Sequence, residues 1–305
     1  MNPATNRVLT DRAIAAYLGL AIGDALGATV EFMTPREIAA NYTVHDSLTG
    51  GGWLHLKPGQ VTDDTSMSLA LGSSILAHGK VDALAAAQAF DAWMRAKPVD
   101  IGNTVRRNLL QFRHTGNPEA PYSVHDAGNG AAMRVLPVAL VTLGQPIDTV
   151  RAACRAQGHV THNSTLSDAA CETLVFMVQD ALRAADKNHL LHRHAHPLVA
   201  RHPEFKFRAI RPSSNPSGYV ADTIQAVFQS FFDTDDFSSC LIDVVNRGGD
   251  ADTTGAIAGM LAGALYGMEA IPDVWRNTLN ADIRHSCEAQ AVALIQLADE
   301  SAKTA

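Results

Sequence analysis

The sequence has no run of lysine or arginine and no excess of positive charge. Its 305 residues include 24 basic and 31 acidic side chains, which gives a net charge of -7 and a pI near 6.0. Proteins that bind nucleic acid or an anionic membrane surface usually present a basic patch, and none is indicated here. The composition therefore argues against nucleic acid as a partner and favours a small molecule or a protein as substrate.

Cysteine is also scarce. The four cysteines, Cys154, Cys171, Cys240 and Cys287, lie far apart and form no C-x-x-C pair. Neither a disulfide framework nor a cysteine zinc site is therefore indicated. Residues 1–20, MNPATNRVLTDRAIAAYLGL, lack a continuous apolar core followed by a cleavage signal, so export is not expected. We expect a cytoplasmic protein with reduced thiols.

Neither a membrane-spanning run nor the alternating pattern of β-strands is evident. The most apolar stretch, AIAGMLAGALYGMEAI at 256–271, is shorter than the roughly 20 residues that a span requires, and Glu269 interrupts its end. Apolar residues instead recur at three-to-four spacing, as expected for helices. With 47% hydrophobic and 18% charged residues, the chain can bury a sizeable core. We predict a single compact all-α domain of many helices over residues 1–305, with residues 1–10 as a loose tail.

Two of the predicted helices carry glycine at every fourth position. These ladders are Gly19, Gly23 and Gly27 in the first helix, and Gly255, Gly259, Gly263 and Gly267 in the second. Glycine costs about 1 kcal/mol relative to alanine inside a helix, so its repetition needs a packing reason. We predict that the two helices lie deep in the core against each other, bringing Asp24 towards Asp250 and Asp252.

Two short acidic clusters, TDDT at 62–65 and GGDADTTG at 248–255, each lie at the expected start of an apolar helix. Two carboxylates about 4 Å apart repel by roughly 4 kcal/mol at an effective dielectric near 20. One explanation is that they cap helix N-termini, where free N–H groups and the helix dipole favour negative charge. However, the two clusters together carry more carboxylates than caps can use, which favours a bound cation.

If the two clusters converge, they form an all-oxygen site. Hard cations such as Mg²⁺, Mn²⁺ or Ca²⁺ prefer such ligands, whereas Zn²⁺ more often recruits cysteine or histidine. Four carboxylates could hold two ions. The candidate metal ligands are Thr62, Asp63, Asp64, Asp250, Asp252 and Thr253.

A calcium loop is the rival explanation for the second cluster. In DADTTGAI, Asp250, Asp252 and Thr254 match positions 1, 3 and 5 of an EF-hand loop, and Gly255 matches position 6. Position 12 should be a bidentate glutamate, and here it is Leu261. The missing ligand argues against an EF-hand, as does the glycine-laddered helix that begins inside the supposed loop.

The chain resembles the ADP-ribosylglycohydrolase family in five segments that follow one another in order. They are GLAIGDALGATVEF (19–32), GQVTDDTSMSLAL (59–71), DAGNGAAMRVLP (126–137), THNSTLSDAAC (161–171) and NRGGDADTTGAIAGMLAGALYG (246–267). The resemblance implies an all-α fold with a binuclear Mg²⁺ or Mn²⁺ centre, and hydrolysis of an ADP-ribose linkage by a metal-activated water. The metal motifs of the family fall on the six candidate ligands named above.

The resemblance also implies roles for residues outside the acidic clusters. Glu31, Asp100 and Asp63 are expected to act in catalysis, beside the metals and the scissile ribose. The expected substrate contacts are Gly102 and Asn103 near the ribose, Asp126, Gly128, Asn129 and Gly130 near the diphosphate and ribose, His162 as a hydrogen-bonding partner of ADP-ribose, and Tyr219 stacked on adenine. Without the resemblance, these residues have simpler explanations as a turn and cap, a loop histidine, a partly buried aromatic residue and a surface acid.

Two stretches, TGGGWLHLKPGQVTDDT and KPVDIGNT, most resemble the bacterial branch that removes ADP-ribose from an arginine of the nitrogenase iron protein. The implied partner is that ADP-ribosylated protein. The resemblance further implies control by a PII-type signal protein and peripheral recruitment to an ammonium channel at the membrane. The alternatives are hydrolysis of a serine or O-acetyl linkage, and a relative that binds ADP-ribose or serves a structural purpose without turnover.

A histidine-rich run, HLLHRHAHPLVARH at 189–202, places His192 and His196 on one helical face. No carboxylate in the run supports this pair, and Pro197 follows directly. We interpret the run as a solvated helix end, at which nickel or zinc affinity would be incidental.

Overall fold

The computed structural model describes residues 3–207 and 213–304, and the side chains of residues 7–207 and 213–301. Its α-helices are α1 (Pro3–Gly27), α2 (Pro35–Tyr42), α3 (Asp63–His78), α4 (Ala83–Arg95), α5 (Asn103–Thr115), α6 (Leu136–Val141), α7 (Ile147–Gly158), α8 (Thr165–Leu182), α9 (Lys187–Leu190), α10 (His196–Arg201), α11 (Val220–Asp233), α12 (Phe237–Val245), α13 (Ala251–Tyr266), α14 (Asp273–Thr278) and α15 (Ala281–Thr304). Within the described ranges no strand forms, and isolated bridges join Gly51 to Leu56 and Gly128 to Tyr219. The predicted all-α class is confirmed.

The two glycine-laddered helices, α1 and α13, lie against each other in the core. A Cβ placed on Gly23 would lie 2.9 Å from the backbone nitrogen of Ala256 and closer still to the carbonyl group of Gly255. The same close approach occurs at Gly19, Gly27, Gly259 and Gly263. Every residue of α13 from Ala251 to Ala264 is buried. Because only glycine lets two helix backbones come this close, the ladders have the predicted packing role.

The ends of these two helices differ in part from the sequence pattern. Gly267, the last member of the second ladder, has a φ of 79° and ends α13, so the 256–271 stretch is a buried helix followed by a turn. α1 begins at Pro3 and covers most of residues 1–10, the segment expected to be a loose tail. Leu9 is buried in the core, which gives that extra length of helix a packing partner. Residues 1 and 2 lie outside the described part.

The other helices surround the central pair. α15 contacts α1, α3 and α6, while α8, α11 and α12 pack on α13. All four cysteines are buried and free. In the described residues, none of the helices has both the length and the apolar character needed to cross a membrane.

The two acidic clusters lie at helix starts, as predicted, but their side chains are not helix caps. α3 begins at Asp63 directly after Thr62, and α13 begins at Ala251 directly after Asp250. Neither Thr62 nor Asp250 makes a side-chain capping hydrogen bond. The capping explanation is therefore not supported, and the helical conformation of residues 251–261 excludes an EF-hand loop.

Candidate active site

A cavity of about 460 Å³ lies where the loop after α1, the start of α5, the Gly-Asn-Gly turn before α6 and the start of α13 meet. Twelve predicted site residues line it: Glu31, Asp63, Asp100, Gly102, Asn103, Gly128, Asn129, Gly130, His162, Asp250, Asp252 and Thr253. Thr62 and Asp64 are buried next to Asp252. Asp126 and Tyr219 do not line the cavity.

Carboxylates from four separate segments converge here. Ligand oxygens of Asp63, Asp64 and Asp252 lie within 4.8 Å of one another. A second group with the same spacing joins Asp252 to Glu31 and Asp100. Both groups could hold a metal ion, and neither contains a nitrogen or sulfur ligand. This all-oxygen character is the one that Mg²⁺, Mn²⁺ and Ca²⁺ prefer.

Burial gives these carboxylates unusual proton affinities. Burial first, and then the charges of Asp100 and Asp24, raise the pKa of Asp63 to about 7. Burial also raises the pKa values of Asp64 and Asp252 well above their ordinary value. In addition, Oδ1 of Asp64 is buried without a hydrogen-bond partner among the described residues. An unsatisfied buried polar atom costs about 1–3 kcal/mol, and more when it is charged, so a cation would fit this position.

Asp24, which directly follows Gly23 in the first glycine ladder, holds the first acidic cluster in place. Its carboxylate accepts hydrogen bonds from the backbone nitrogen and hydroxyl of Thr62, at 2.9 Å each. It also accepts from the nitrogen of Thr65 at 3.1 Å and from its hydroxyl at 2.5 Å. Burial raises the pKa of Asp24 to about 6, although these hydrogen bonds oppose the shift. Asp24 therefore links α1 to the start of α3. It lies close to Asp252, towards which the sequence analysis placed it.

Glu31 is held by a residue that the sequence analysis did not select. Nε1 of Trp53 donates a hydrogen bond to Oε2 of Glu31 at 2.7 Å. The pKa of Glu31 is raised to about 8, mainly by burial and then by nearby carboxylates, while the Trp53 hydrogen bond opposes the rise. Phe32 and Trp53 are both exposed and have ring centroids 5.6 Å apart at the cavity. The three glycines before Trp53 all have positive φ, a local signal of an unusual turn.

The Gly-Asn-Gly turn is shaped by contact with His162. A Cβ on Gly128 would lie 3.0 Å from Nε2 of His162, and one on Gly130 would lie 2.7 Å from its Cε1. Burial, with the nearby positive charges of two arginines, lowers the pKa of His162 to about 3, so its ring is neutral. Nδ2 of Asn129 donates to Oδ2 of Asp250 at 2.6 Å. The turn is thus tied to the second acidic cluster.

The two predicted substrate residues outside the cavity have structural partners. Asp126 pairs with Arg107 at 2.5 Å and accepts a hydrogen bond from Asn108 at 3.2 Å. Asn108 also donates to the carbonyl oxygen of Thr161 at 2.6 Å, so this network fixes the loop that carries the cavity histidine. Tyr219 pairs with Gly128 through its backbone, and its side chain is 39% exposed.

Gly248 and Gly249 join the second acidic cluster to the loop after α1. Both have positive φ, 70° and 67°. The backbone nitrogen of Gly249 donates to the carbonyl of Met33 at 3.0 Å, and the nitrogen of Phe32 donates to the carbonyl of Gly249 at 2.7 Å. A Cβ on Gly248 would come within 3.2 Å of the carbonyl carbon of Met33. These glycines shape the turn that sets Glu31 beside Asp250.

A buried arginine supports the far wall of the site. Arg134 is fully buried and donates to Oε1 of Gln157 at 2.9 Å and to Oγ1 of Thr161 at 2.8 Å. Its guanidinium lies 4.3 Å from the ring centroid of Phe90. Thr161 in turn contacts Nδ1 of His162 at 2.7 Å. Sequence reasoning missed Arg134, although an arginine among the apolar residues of AAMRVLP is a visible anomaly.

The chain is similar to known proteins over nearly its whole length. The profile of the family described as ADP-ribosylglycohydrolase matches residues 5–304. ADP-ribosyl-[dinitrogen reductase] glycohydrolase of Rhodospirillum rubrum is 52% identical over 288 residues, which cover 94% of this chain and 97% of that protein. ADP-ribosylarginine hydrolase Tri1 of Serratia proteamaculans (strain 568) is 33% identical, over 88% of this chain and 75% of that protein. A solved structure titled "ADP-ribosylglycohydrolase-related protein complex" has a TM-score of 0.84 and 35% identity, covering 96% of this chain and 99% of the other. This chain belongs to the ADP-ribosylglycohydrolase family.

Proposed function

We propose that this protein hydrolyses the N-glycosidic bond between ADP-ribose and an arginine side chain of a target protein. The observation that carries the proposal is the convergence of buried carboxylates on one cavity, with an oxygen of Asp64 lacking any hydrogen-bond partner among the described residues. The names of the relatives from Rhodospirillum rubrum and Serratia proteamaculans, both hydrolases of ADP-ribose linkages, support the same reaction.

Two divalent cations, Mn²⁺ or Mg²⁺, fit this site. We assign as ligands Thr62, Asp63, Asp64, Asp250, Asp252 and Thr253. The sharing of Asp252 by two carboxylate groups supports two neighbouring cation positions. When bound, such ions would polarise the ribose hydroxyls and lower the pKa of a bound water. Beside such positive charges, the carboxylates of this chain would have lower pKa values, against the effect of burial.

Side chains of this protein would accept the proton of the attacking water and stabilise the charge that develops on the ribose. We assign Glu31 as the base that accepts a proton from the attacking water at Oε1, because Oε2 already accepts the hydrogen bond from Trp53. Asp100, with Oδ1 fixed by the backbone nitrogen of Ile101 at 2.7 Å, would face the positive charge that develops on the ribose. Asp63, at the start of α3, would orient the ribose from the opposite acidic cluster. The N-glycosidic bond then breaks with the arginine guanidine as leaving group.

Binding of ADP-ribose is assigned to the other residues of the cavity. The glycines of the Gly-Asn-Gly turn expose backbone for close approach by the diphosphate, and Gly102 and Asn103 offer the start of α5 to the ribose. Neutral His162 would exchange a hydrogen bond with the ligand. For Tyr219, whose side chain is 39% exposed outside the described cavity, we retain adenine stacking as a prediction. Asp126 is assigned a positioning role through Arg107 and Asn108.

The target within the cell is proposed from the Rhodospirillum rubrum relative alone, whose name specifies dinitrogen reductase. We propose the ADP-ribosylated nitrogenase iron protein as substrate. Control by a PII-type signal protein, with recruitment to an ammonium channel, stays a prediction of the family resemblance. The alternative activities are cleavage of serine-linked or O-acetyl ADP-ribose, and binding without turnover.

One experiment separates cleavage of the arginine linkage from cleavage of the serine linkage and from binding without turnover. The full chain is incubated with Mn²⁺ and either arginine-ADP-ribosylated iron protein or a serine-ADP-ribosylated peptide, and released ADP-ribose is quantified. We expect release from the arginine linkage. Asp64→Asn and Asp252→Asn should each lower kcat/KM at least about a hundredfold, because metal centres supply several kcal/mol of transition-state stabilisation. Asp148→Asn, at a side chain that is 99% exposed, is the matched control.

Release of ADP-ribose from the serine peptide but not from the arginine-modified protein would show that the arginine linkage is the wrong assignment. Tight binding of ADP-ribose without release from either substrate would favour a non-catalytic relative. Full activity after exhaustive chelation would exclude the two-cation assignment.

A further inference from the structure

A second cluster of metal-binding residue types lies outside the candidate active site, at the end of α8. Oδ2 of Asp180 lies 2.7 Å from Nε2 of His194 and 3.2 Å from Nε2 of His189. One ligand atom from each of these three residues lies within 4.8 Å of the others. The sequence pattern indicated His192 and His196, whose ring centroids are 5.0 Å apart. The carboxylate of Asp180 contacts a different pair, His189 and His194.

The backbone explains why this pair was not evident from the sequence. His189 and His194 are five residues apart, and in a regular α-helix they would point about 140° from each other. The segment Leu191–Ala195 is instead a π-helical turn, in which the nitrogen of His196 donates to the carbonyl of Leu191. Such a turn brings residues five apart closer to one face, and π turns occur frequently at functional sites. Asp180 reaches the pair from α8.

The ligand set differs in kind from that of the acidic cavity. Two imidazole nitrogens and one carboxylate are the protein ligands of many zinc sites that keep a fourth position open. The His194 side chain is only 10% exposed, and that of Asp180 is 25% exposed. A cavity of about 450 Å³ is lined by both residues and leaves room for a fourth ligand. Arg193 lies 3.9 Å from Asp180, but its side chain is 66% exposed and such a pair is weak.

We propose that Asp180, His189 and His194 bind one divalent transition-metal ion of the Zn²⁺ type, separate from the cations of the acidic cavity. The ion links the α9–α10 segment to the C-terminal end of α8. Water or a small anion from the adjoining cavity takes the fourth position. The simpler explanation is a hydrogen-bonded Asp-His-His cluster that binds no metal.

The test uses the untagged full chain with Mg²⁺ in large excess, so that the acidic cavity does not compete for the probe metal. Zn²⁺ binding is measured by titration calorimetry, and Co²⁺ is added separately to record the visible absorption of a four-coordinate site. We expect one equivalent of each metal. Asp180→Asn, His194→Gln and His189→Gln should each weaken Zn²⁺ binding at least about tenfold and remove the Co²⁺ absorption, because each deletes one of three ligands.

Two controls come from the same histidine run, and a third comes from the acidic cavity. His192→Gln and His196→Gln should keep the affinity, and Asp64→Asn should keep it too if the site is independent of the acidic cavity. The 48% exposed His189 provides a variant that is expected to fold even if replacement of His194 does not, and circular dichroism checks this. Absence of stoichiometric binding, or equal losses in the triad and control variants, would overturn the proposal.

Discussion

Replacing Gly23 by alanine tests the packing that holds the site together. In the structure, an added Cβ would lie 2.9 Å from the nitrogen of Ala256 and closer still to the carbonyl group of Gly255. Ordinary contact begins near 3.4 Å, and the carbonyl group of Gly255 is the nearest obstacle, so α1 and α13 must separate by about an ångström or more. Both sides of the contact are helix backbone, and no flexible side chain can turn away.

The expected magnitude follows from two opposing terms. Overpacking in a well-filled core costs about 1–3 kcal/mol, and sometimes more, and a rigid backbone obstacle belongs at the upper end. Alanine regains about 1 kcal/mol of helix propensity relative to glycine. We therefore expect Gly23→Ala to lower the free energy of unfolding by about 2 kcal/mol or more.

Gly158→Ala provides the matched control, because it adds the same methyl group to a helix where there is room. The nearest atom to its added Cβ is Cβ of Ala131, at an ordinary 3.8 Å. This variant should be as stable as the parent or gain up to about 1 kcal/mol. Urea unfolding in the presence of a chelator, with an unchanged m-value, gives both differences. Equal stabilities of the two variants would refute the close-packing explanation of the glycine ladders.

Three further predictions concern the site and the pH dependence of stability. Each bound Mn²⁺, at about a hundred times its Kd, should stabilise the parent by about 2.7 kcal/mol, or about 4 °C in the midpoint of thermal unfolding. Asp64→Asn should lose most of this stabilisation, and an unchanged shift would place the ions elsewhere. Trp53→Phe deletes the donor that orients Glu31 and should lower kcat about tenfold with little change in KM, so steady-state kinetics within twofold of the parent would contradict the positioning role. Burial by itself would lower the pKa of His159, but hydrogen bonds and charges from Asp168 and a second carboxylate outweigh this effect, so the pKa is raised. This interaction stabilises the fold fully below the unfolded pKa of about 6.5, and the stabilisation is lost as the pH rises through the higher folded pKa. His159→Gln should therefore destabilise the protein more at pH 5.5 than at pH 9. Equal losses of stability at the two pH values would count against the linkage.

The features that could be predicted from sequence are those with a local signature. The glycine ladders repeat every fourth residue, and that period alone indicates one flat helix face. The two acidic clusters are short strings that stand out from their apolar surroundings. Gly79, with a φ of 72°, ends α3, and a glycine directly after an apolar periodic run is a common local signal of a helix end. In each case the information lies within a few consecutive residues.

The residues that sequence reasoning missed act through contacts between distant segments. Trp53 is 22 positions from Glu31, and Arg134 is 27 positions from Thr161. Neither distance has a periodic signature, because both depend on how loops return to the core. The π turn near His194 could not be predicted for a different reason. A π turn contains one residue more than an α-helical turn, which changes the histidines that share a face, and no local sequence motif indicates it.

The proposed cation site would couple cation binding to packing, because the same two helices, α1 and α13, serve both. α1 carries Asp24, and α13 carries Asp252, whose pKa is raised by burial and then by neighbouring carboxylates. Without a cation, the crowded carboxylates oppose the close approach that the glycine ladders permit. With a cation bound, the charges favour that approach instead. A loss of stability in Gly23→Ala therefore contains a packing part and a cation-binding part, and only unfolding measured in chelator isolates the first.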